Sequence, residues 1–205
     1  MQGFIINLNR VKEEDLIVTI ITKGNLDTLY RFYGARHGVI NLGFKIDYEK
    51  EFSGKSTIAR LKDVIHIGYK WLHNYERLKL WQDFTALFYK HLKDAEDLGV
   101  FYFELLDDAS KRWEKQNPKR VAIESYVKIL EHEGRLHTEP YCFLCSKKLE
   151  NEIALLRAYL PTHPECSHTM GISTQALQEL YIHKSSLFLS DTEVNRLWNV
   201  LLEGL

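Results

Sequence analysis

The first part of the chain carries short runs of β-branched and aromatic residues, separated by polar or glycine-containing turns. Such runs are typical of strands, because strand side chains alternate between two faces. We predict five strands, at residues 3–8, 15–22, 28–33, 39–46 and 59–67. Five short strands over about seventy residues are too small for a sandwich. They indicate a closed or nearly closed barrel of the OB-fold or SH3-like type.

The period changes near residue 69. Apolar residues then recur at steps of three and four, at Trp81, Phe84, Phe88 and Leu92. This spacing predicts an amphipathic helix with one buried stripe. The second part of the chain is therefore expected to be helical, and we place a barrel domain at residues 1–69 and a helical domain at residues 70–205.

Capping residues predict the limits of later helices. Asn117 followed by Pro118 marks a helix start, and Gly134 marks its end. Another helix is expected to begin near Ser173. The segment 190–193 has the pattern of a capping box, which predicts a terminal helix whose apolar face holds Val194, Leu197, Trp198 and Leu201.

The three cysteines of the chain all lie between residues 142 and 166. Cys142 and Cys145 form a C-x2-C turn, and His163 and Cys166 repeat this spacing further on. Zinc takes four sulfur and nitrogen ligands, which two such turns can supply. His168 is an alternative to His163 as the histidine ligand, although His163 keeps the two-residue spacing. Buried core thiols, or a disulfide between the first two cysteines, are the other interpretations.

A structural role for this metal is favoured over a catalytic one. Glu165 is the only carboxylate in the second ligand turn, and no H-x-E or H-E-x-x-H pattern accompanies it. The cluster lies in a proline-containing insertion, at about residues 138–170, between two predicted helices. Such a segment needs either a metal or extensive packing to become ordered. Within it, residues 151–159 are expected to form a short helix.

Composition indicates an ordinary globular protein, with 45% apolar and 27% charged residues and a net charge of −1. The longest apolar stretches fall short of the roughly twenty residues that span a membrane. Residues 1–8 lack the basic region and cleavage site of a signal peptide, so we expect a cytoplasmic protein. Residues 1–80 have 13 Lys and Arg against 9 Asp and Glu, and residues 81–205 have 14 against 19. This asymmetry suits an anionic ligand at the N-terminal end.

Basic and aromatic residues alternate along residues 29–37. On a strand, this pattern suits single-stranded nucleic acid, because bases stack on aromatic rings while arginines neutralise phosphates. The alternation predicts that Arg31, Tyr33 and Arg36 are the exposed set. The other interpretation is that the aromatic residues fill the barrel.

Three segments in this order and spacing resemble the N-terminal pattern of the bacterial RecO family: Gly3 to Ile6, Glu14 to Thr22, and Gly34-Ala35-Arg36. The resemblance extends over the helical half and the late C-x2-C unit. It implies an α+β protein with an N-terminal five-stranded OB-fold barrel, followed by a helical domain with an inserted zinc-binding motif. Tyr33 stands where the family usually has lysine. His163 stands where four-cysteine members are expected to have cysteine.

The resemblance implies a non-enzymatic mediator of DNA repair and homologous recombination. Such a protein binds single- and double-stranded DNA, anneals complementary strands and works with RecR to load RecA onto DNA coated by single-strand-binding protein. It would be associated with the bacterial nucleoid and would carry one structural Zn²⁺ per chain. From spacing and alternation in the sequence itself, we predict Cys142, Cys145, His163 and Cys166 as the metal ligands and Arg31, Tyr33 and Arg36 as the DNA contacts; of these, the resemblance supports Arg36.

Two other interpretations remain. The first is a protein-interaction scaffold that is stabilised by zinc and does not bind nucleic acid. The second, which ranks below it, is a zinc hydrolase or deaminase. Consistent with a protein that is not an enzyme, the sequence has no phosphate-binding glycine loop and no nucleophile elbow. The C-terminal tail of single-strand-binding protein would need an apolar pocket with a basic rim. Lys111, Arg112 and Arg120 near Trp113 are candidates for that pocket.

Overall fold

The computed structural model describes residues 1–54, 56–95 and 97–205. Residue contacts divide the chain into two compact units, Met1–Lys115 and Gln116–Leu205. Among the described residues, the first unit contains five strands and two α-helices: β1 (Gln2–Arg10), β2 (Leu16–Ile21), β3 (Leu26–Arg31), β4 (Lys45–Glu51), β5 (Arg60–His66), α1 (Tyr75–Leu92) and α2 (Phe101–Arg112). The second contains α3 (Pro118–His132), β6 (Glu152–Leu155), β7 (Pro161–Thr162), α4 (Pro164–Ser167), β8 (Ile172–Ser173), α5 (Thr174–His183) and α6 (Asp191–Leu202).

The five strands of the first unit form a closed barrel in the order β1-β2-β3-β5-β4. All neighbours are antiparallel except β3 and β5, which pair in parallel where Tyr30 faces Arg60. This is the strand order of an OB-fold. The interior is filled by side chains from every strand, among them Ile5, Val18, Ile20, Leu29, Ile46, Tyr48 and Leu61. The predicted fold class, an OB-fold barrel followed by helices, is confirmed.

The fourth strand was predicted at residues 39–46, and the structure places it at Lys45–Glu51. Residues 37–44 instead form turns in which Ile40 donates to His37 O and Phe44 donates to Asn41 O. Ile40 and Phe44 are buried in the barrel core without being part of a strand. The true strand escaped prediction because only Ile46 and Tyr48 among its residues are buried, and charged residues surround them.

Helix α1 buries the predicted stripe of Trp81, Phe84, Phe88 and Leu92. The helix begins at Asn74, whose side chain accepts a hydrogen bond from Arg77 N. Gly43 fixes the approach of this helix to the barrel, because its carbonyl oxygen accepts hydrogen bonds from Trp81 Nε1 at 2.7 Å and Tyr69 Oη at 2.8 Å. Its φ is +80°, and a Cβ there would lie 2.7 Å from the Trp81 ring. Only glycine fits both conditions.

The predicted helix limits in the second unit are confirmed. Asn117 caps α3 by accepting a hydrogen bond from Lys119 N, and Gly134, with φ +67°, follows its end. Ser190 and Glu193 form a complete capping box at the start of α6. The buried residues of α6 are the four predicted ones, Val194, Leu197, Trp198 and Leu201.

The prediction of a short helix at residues 151–159 is wrong. Residues 152–155 form β6, the central strand of a three-stranded sheet in the order β7-β6-β8, and a 3-10 turn follows at Arg157–Tyr159. Ile153, Ala154 and Leu155 are all buried. A short run of consecutive apolar residues fits a doubly covered strand as well as a helix, so the sequence alone did not distinguish them.

Candidate metal centre and nucleic-acid face

The side chains of Cys142, Cys145, His163 and Cys166 converge in the second unit. One ligand atom from each residue lies within 4.8 Å of all the others. His163 Nδ1 is 3.3 Å from Cys145 Sγ and 3.8 Å from Cys166 Sγ. Ligand atoms around a tetrahedral zinc ion are separated by about 3.5 to 3.8 Å, given Zn–S bonds of about 2.3 Å and Zn–N bonds of about 2.0 Å. The group can therefore hold a metal ion.

Backbone hydrogen bonds hold the first ligand turn, residues 140–149, which we call the knuckle. Cys142 N donates to Lys147 O, Ser146 N donates to Cys142 O, and Leu149 N donates to Pro140 O, each at 2.8 Å. Phe143 N donates to Pro161 O at 2.8 Å, which ties the knuckle to β7. The second ligand turn begins α4, in which Cys166 N donates to His163 O.

His163 is oriented by the carbonyl oxygen of Lys148, which lies 3.0 Å from its Nε2. If Nε2 carries the proton and donates to this carbonyl, the lone pair of Nδ1 points toward the three sulfur atoms, as in many metal-binding histidines. The same hydrogen bond raises the pKa of His163. His168 caps α4 with φ 54° and is not part of the group of converging ligand atoms among the described residues.

The thiols differ in acidity. Burial acts to raise the pKa of Cys142, but hydrogen bonds from the backbone N–H groups of His163, Cys145 and Leu144 outweigh it and lower the pKa to about 6. Burial and the two neighbouring thiols raise the pKa of Cys166 to about 11. Three sulfur atoms this close resist simultaneous ionisation until a cation balances their charge. Metal binding consequently releases protons and weakens as pH falls.

A second candidate site lies at one end of the barrel, where β3 ends at Arg31. The predicted alternation does not continue beyond this residue, because Tyr33 adopts φ 52° and a 3-10 turn follows at Gly34–Arg36. Arg31 was predicted to be exposed. The structure shows it half-buried, with Nη1 donating to Leu61 O at 2.8 Å. Tyr33 is 59% exposed and the Arg36 side chain 66% exposed.

Three further residues, not predicted from the sequence as site residues, lie at this end of the barrel. Phe32 is 45% exposed, and the Arg60 guanidinium lies 5.0 Å from its ring centroid. Arg60 is brought there by the parallel pairing of β3 with β5. Phe52 is 81% exposed and follows Glu51, which pairs with Arg60. We call Phe32, Tyr33, Phe52, Arg36 and Arg60 the aromatic face.

The turn between β1 and β2 supports the aromatic face. Asp15 accepts hydrogen bonds from Tyr30 Oη at 2.6 Å and from Tyr33 N at 2.8 Å, and the bond from Tyr30 holds the pKa of Asp15 below its ordinary value. Glu14 O accepts from Ala35 N at 2.9 Å. The Tyr30 ring in turn packs edge-on against Phe32, with centroids 4.9 Å apart. Phe32 and the main chain of Tyr33 are therefore held in place before any ligand binds.

The cations of the aromatic face are paired with carboxylates. Arg36 Nε lies 2.5 Å from Glu14, and Arg60 Nη1 lies 3.5 Å from Glu51. Arg36 also lies over the Tyr33 ring, 5.5 Å from its centroid. Such exposed ion pairs contribute only about 0 to 1 kcal/mol each, so a phosphate group can displace the carboxylates at little cost.

The first unit also has a cavity of about 400 Å³ between the end of β5 and α2. Ile67, Tyr69 and Trp71 contribute apolar lining, and four lysines and two acidic residues lie around it: Lys45, Lys70, Lys111, Lys115, Asp107 and Glu114. Trp113 does not line it, because that side chain is fully buried and its Nε1 donates to Arg77 O. The prediction that Trp113 lines this pocket is therefore wrong.

Arg120, also expected at that pocket, is engaged within the second unit. Its guanidinium donates to Ser186 O, to Leu189 O and to the Asp191 carboxylate. Lys111 and Arg112 form ion pairs with Asp107 and Asp108 on their own helix.

Residues 1–72 match the family model described as RecO N terminal. Residues 1–72 of this chain are therefore similar to the N-terminal domain of RecO proteins. RecO proteins act in DNA repair and recombination, with DNA and other repair proteins as partners. No curated protein matches the chain.

The RecO match covers one of the two candidate sites. Every residue of the aromatic face lies within the matched residues 1–72, whereas the metal cluster lies outside them. The metal centre is therefore supported by geometry and ligand chemistry alone. Among the residues described by the structure, no helix has the length and apolar character needed to cross a membrane.

Proposed function

We propose that this chain is a non-enzymatic recombination mediator that binds single- and double-stranded DNA through its OB-fold domain, residues 1–69, and anneals complementary strands. The observation that carries the proposal is the aromatic face, in which three exposed rings and two arginines lie at one end of an OB-fold barrel. Bases stack on such rings regardless of sequence, with about 1 to 3 kcal/mol per base. The arginines supply the phosphate contacts.

Tyr33 and Arg36 are the two sequence-predicted DNA contacts that this proposal retains as direct contacts. Arg31 has a supporting role, because its guanidinium already donates to Leu61 O. Lys12, in the turn before Glu14 and Asp15, is exposed and has no carboxylate within salt-bridge distance in the described part of the chain. Its charge acts on the nearby Asp15 carboxylate, and it adds a cation that can contact phosphate.

Annealing follows from charge neutralisation. Two strands repel each other through their phosphates, and a protein that binds both lowers this repulsion and raises the local concentration of complementary bases. No nucleotide hydrolysis is required. We therefore place the protein in the bacterial cytoplasm, associated with the nucleoid, where DNA is its ligand.

We propose that the metal of the Cys142, Cys145, His163 and Cys166 group is Zn²⁺, one per chain, with a structural role. Three thiolates and one imidazole are a ligand set that zinc favours, and four protein ligands leave no open position for a reacting water. The ion would supply a cross-link between the knuckle and the turn that begins α4.

RecR and RecA are proposed as protein partners, RecA indirectly, in loading onto DNA coated by single-strand-binding protein. For the C-terminal tail of single-strand-binding protein, acidic and aromatic, we propose the cavity beside Tyr69 and Trp71. Asp107 is shared between Lys45 and Lys111, at 2.6 Å from each. Lys70 is 82% exposed, and its amine is 3.9 Å from Glu114. The lysines outnumber the carboxylates, which suits an acidic segment that ends in an apolar side chain.

A peptide with acidic residues and a C-terminal aromatic residue tests this pocket. We expect Lys70→Glu combined with Lys115→Glu to weaken its binding about tenfold or more, measured by calorimetry, because both changes reverse charge at the rim. Lys90→Glu, an exposed lysine on α1, is the matched control. Equal binding by all three proteins would exclude the cavity as the tail site.

Annealing of two complementary oligonucleotides tests the main proposal. We expect the 205-residue chain to accelerate duplex formation severalfold in the absence of ATP, and to lose this effect as salt rises, because phosphate contacts are displaced by counterions. Fluorescence energy transfer between labelled strands measures the rate. A protein that neither binds nor anneals oligonucleotides at low salt would instead be the zinc-stapled protein scaffold.

A further inference from the structure

Outside the barrel, the knuckle carries a second set of exposed rings. Tyr141 is 53% exposed and Phe143 is 59% exposed, while Cys142 between them is 2% exposed. Both rings that flank the buried ligand Cys142 are therefore open to solvent.

One exposed lysine lies beside Tyr141, and a second precedes it in the chain. Tyr141 and Lys148 pair across the knuckle as an isolated antiparallel bridge, which places their side chains next to each other on the same side. Lys147 precedes Lys148, and both are exposed. Neither has a carboxylate within salt-bridge distance in the described ranges 1–54, 56–95 and 97–205.

This charge distribution differs from that of the aromatic face, where Arg36 and Arg60 are each paired with a carboxylate. A centre with three thiolates, one neutral imidazole and one divalent cation has a net charge of about −1. The two lysines more than balance it. The nearest carboxylates in sequence, Glu139 and Glu150, lie at the base of the knuckle and form no ion pair with either lysine.

We propose that the knuckle is a second contact site for single-stranded nucleic acid, with Tyr141 and Phe143 stacking on bases and Lys147 and Lys148 neutralising phosphates. The inference rests on the proposed function and adds a site in the second unit, outside the family match. Unpaired lysines beside half-exposed rings favour a polyanion with planar bases over an apolar protein segment. The backbone bonds of the knuckle hold the main chain of both aromatic residues in position, and a bound metal would add to this.

Two contact sites on one chain change how a strand is held. When one site has bound, the second binds at the effective concentration set by the intervening strand, so the overall affinity exceeds that of either site.

Photo-crosslinking tests the site directly. A thymine-rich oligonucleotide with 5-iodouracil substitutions is irradiated with the full-length metal-loaded protein, and peptides are analysed by mass spectrometry. We expect crosslinks at Tyr141 or Phe143 in addition to the aromatic face. Crosslinks at the aromatic face alone would overturn the knuckle site and leave the proposed function standing. Crosslinks at neither place would overturn both.

Binding by variants provides a second measurement. We expect Tyr141→Ala with Phe143→Ala to weaken single-strand binding about tenfold, and Lys147→Glu with Lys148→Glu to reduce the slope of log K against log salt by about 1.4 or more, since each lost phosphate contact accounts for about 0.7. Leu187→Ala, at a residue 83% exposed in the same unit, is the control. The metal content of each variant shows whether its knuckle is intact. Unchanged affinity in metal-loaded variants, as expected for a surface that docks a protein, would overturn the inference.

Discussion

Cys142→Ser is expected to abolish stoichiometric metal binding and to lower the free energy of unfolding of residues 116–205 by about 3 kcal/mol or more. The Cys142 thiol is the most buried of the three, at 2% exposure, and it accepts a hydrogen bond from His163 N at 3.4 Å. Without it the two ligand turns are no longer joined at this point. Structural zinc contributes about 10 to 16 kcal/mol of apparent binding free energy in small zinc modules, part of which orders the surrounding chain.

Elemental analysis, chelator titration and thermal unfolding measure these effects. Hydrogen exchange shows where protection is lost, and we expect the loss to begin in the knuckle and in the turn that begins α4. Protein purified without chelator and free of any metal would contradict the prediction. So would a Cys142→Ser variant that keeps one metal per chain and full stability.

A pair of histidine variants identifies the fourth ligand. His163→Gln should lose the metal, because the Nδ1 atom that faces Cys145 and Cys166 is removed. His168→Gln is the matched control, since His168 lies at the end of α4 and outside the converging group. Metal loss in the His168 variant alone would reverse this assignment. The spacing in the sequence allowed either histidine as the fourth ligand. The fold distinguishes them, because it brings His163 and not His168 to the three cysteines.

Local rules predicted the features of this chain that depend on neighbouring residues. The helix caps at Asn117 and Ser190 follow from side chains that bond to N–H groups two or three residues away. The buried stripe of α1 follows from its period. The two ligand turns follow from their own spacing. In each case the information lies within a few residues of the feature.

Non-local pairing explains what the sequence did not show. Arg60 lies beside Phe32 only because the barrel closes through the parallel pairing of β3 with β5. Phe52 joins the same face only because β4 ends opposite the start of β5. Arg31, predicted to be exposed, is turned toward Leu61 O by that closure. An alternating pattern on one strand cannot show which partner strand covers it.

Phe32→Ala combined with Tyr33→Ala is expected to lower single-strand affinity by about 30-fold or more. Two stacked bases lose about 1 to 3 kcal/mol each when the rings are removed. Both rings are substantially exposed, so the truncation leaves no large cavity in the barrel, and the fold is expected to persist. Fluorescence anisotropy with a labelled oligonucleotide at fixed salt measures the affinity, and near-ultraviolet circular dichroism checks the fold.

A variant with the opposite expected sign provides the control. Glu14→Gln removes the carboxylate that lies 2.5 Å from Arg36 and leaves the Glu14 backbone bond to Ala35 in place. Arg36 is then free for phosphate, so we expect affinity to rise severalfold at low salt and the difference to shrink as salt screens the charges. Arg31→Glu is a poor probe by comparison, because it also removes the donor to Leu61 O. If the double aromatic variant and Glu14→Gln both bind DNA like the unmodified protein, the DNA-binding surface lies away from this end of the barrel.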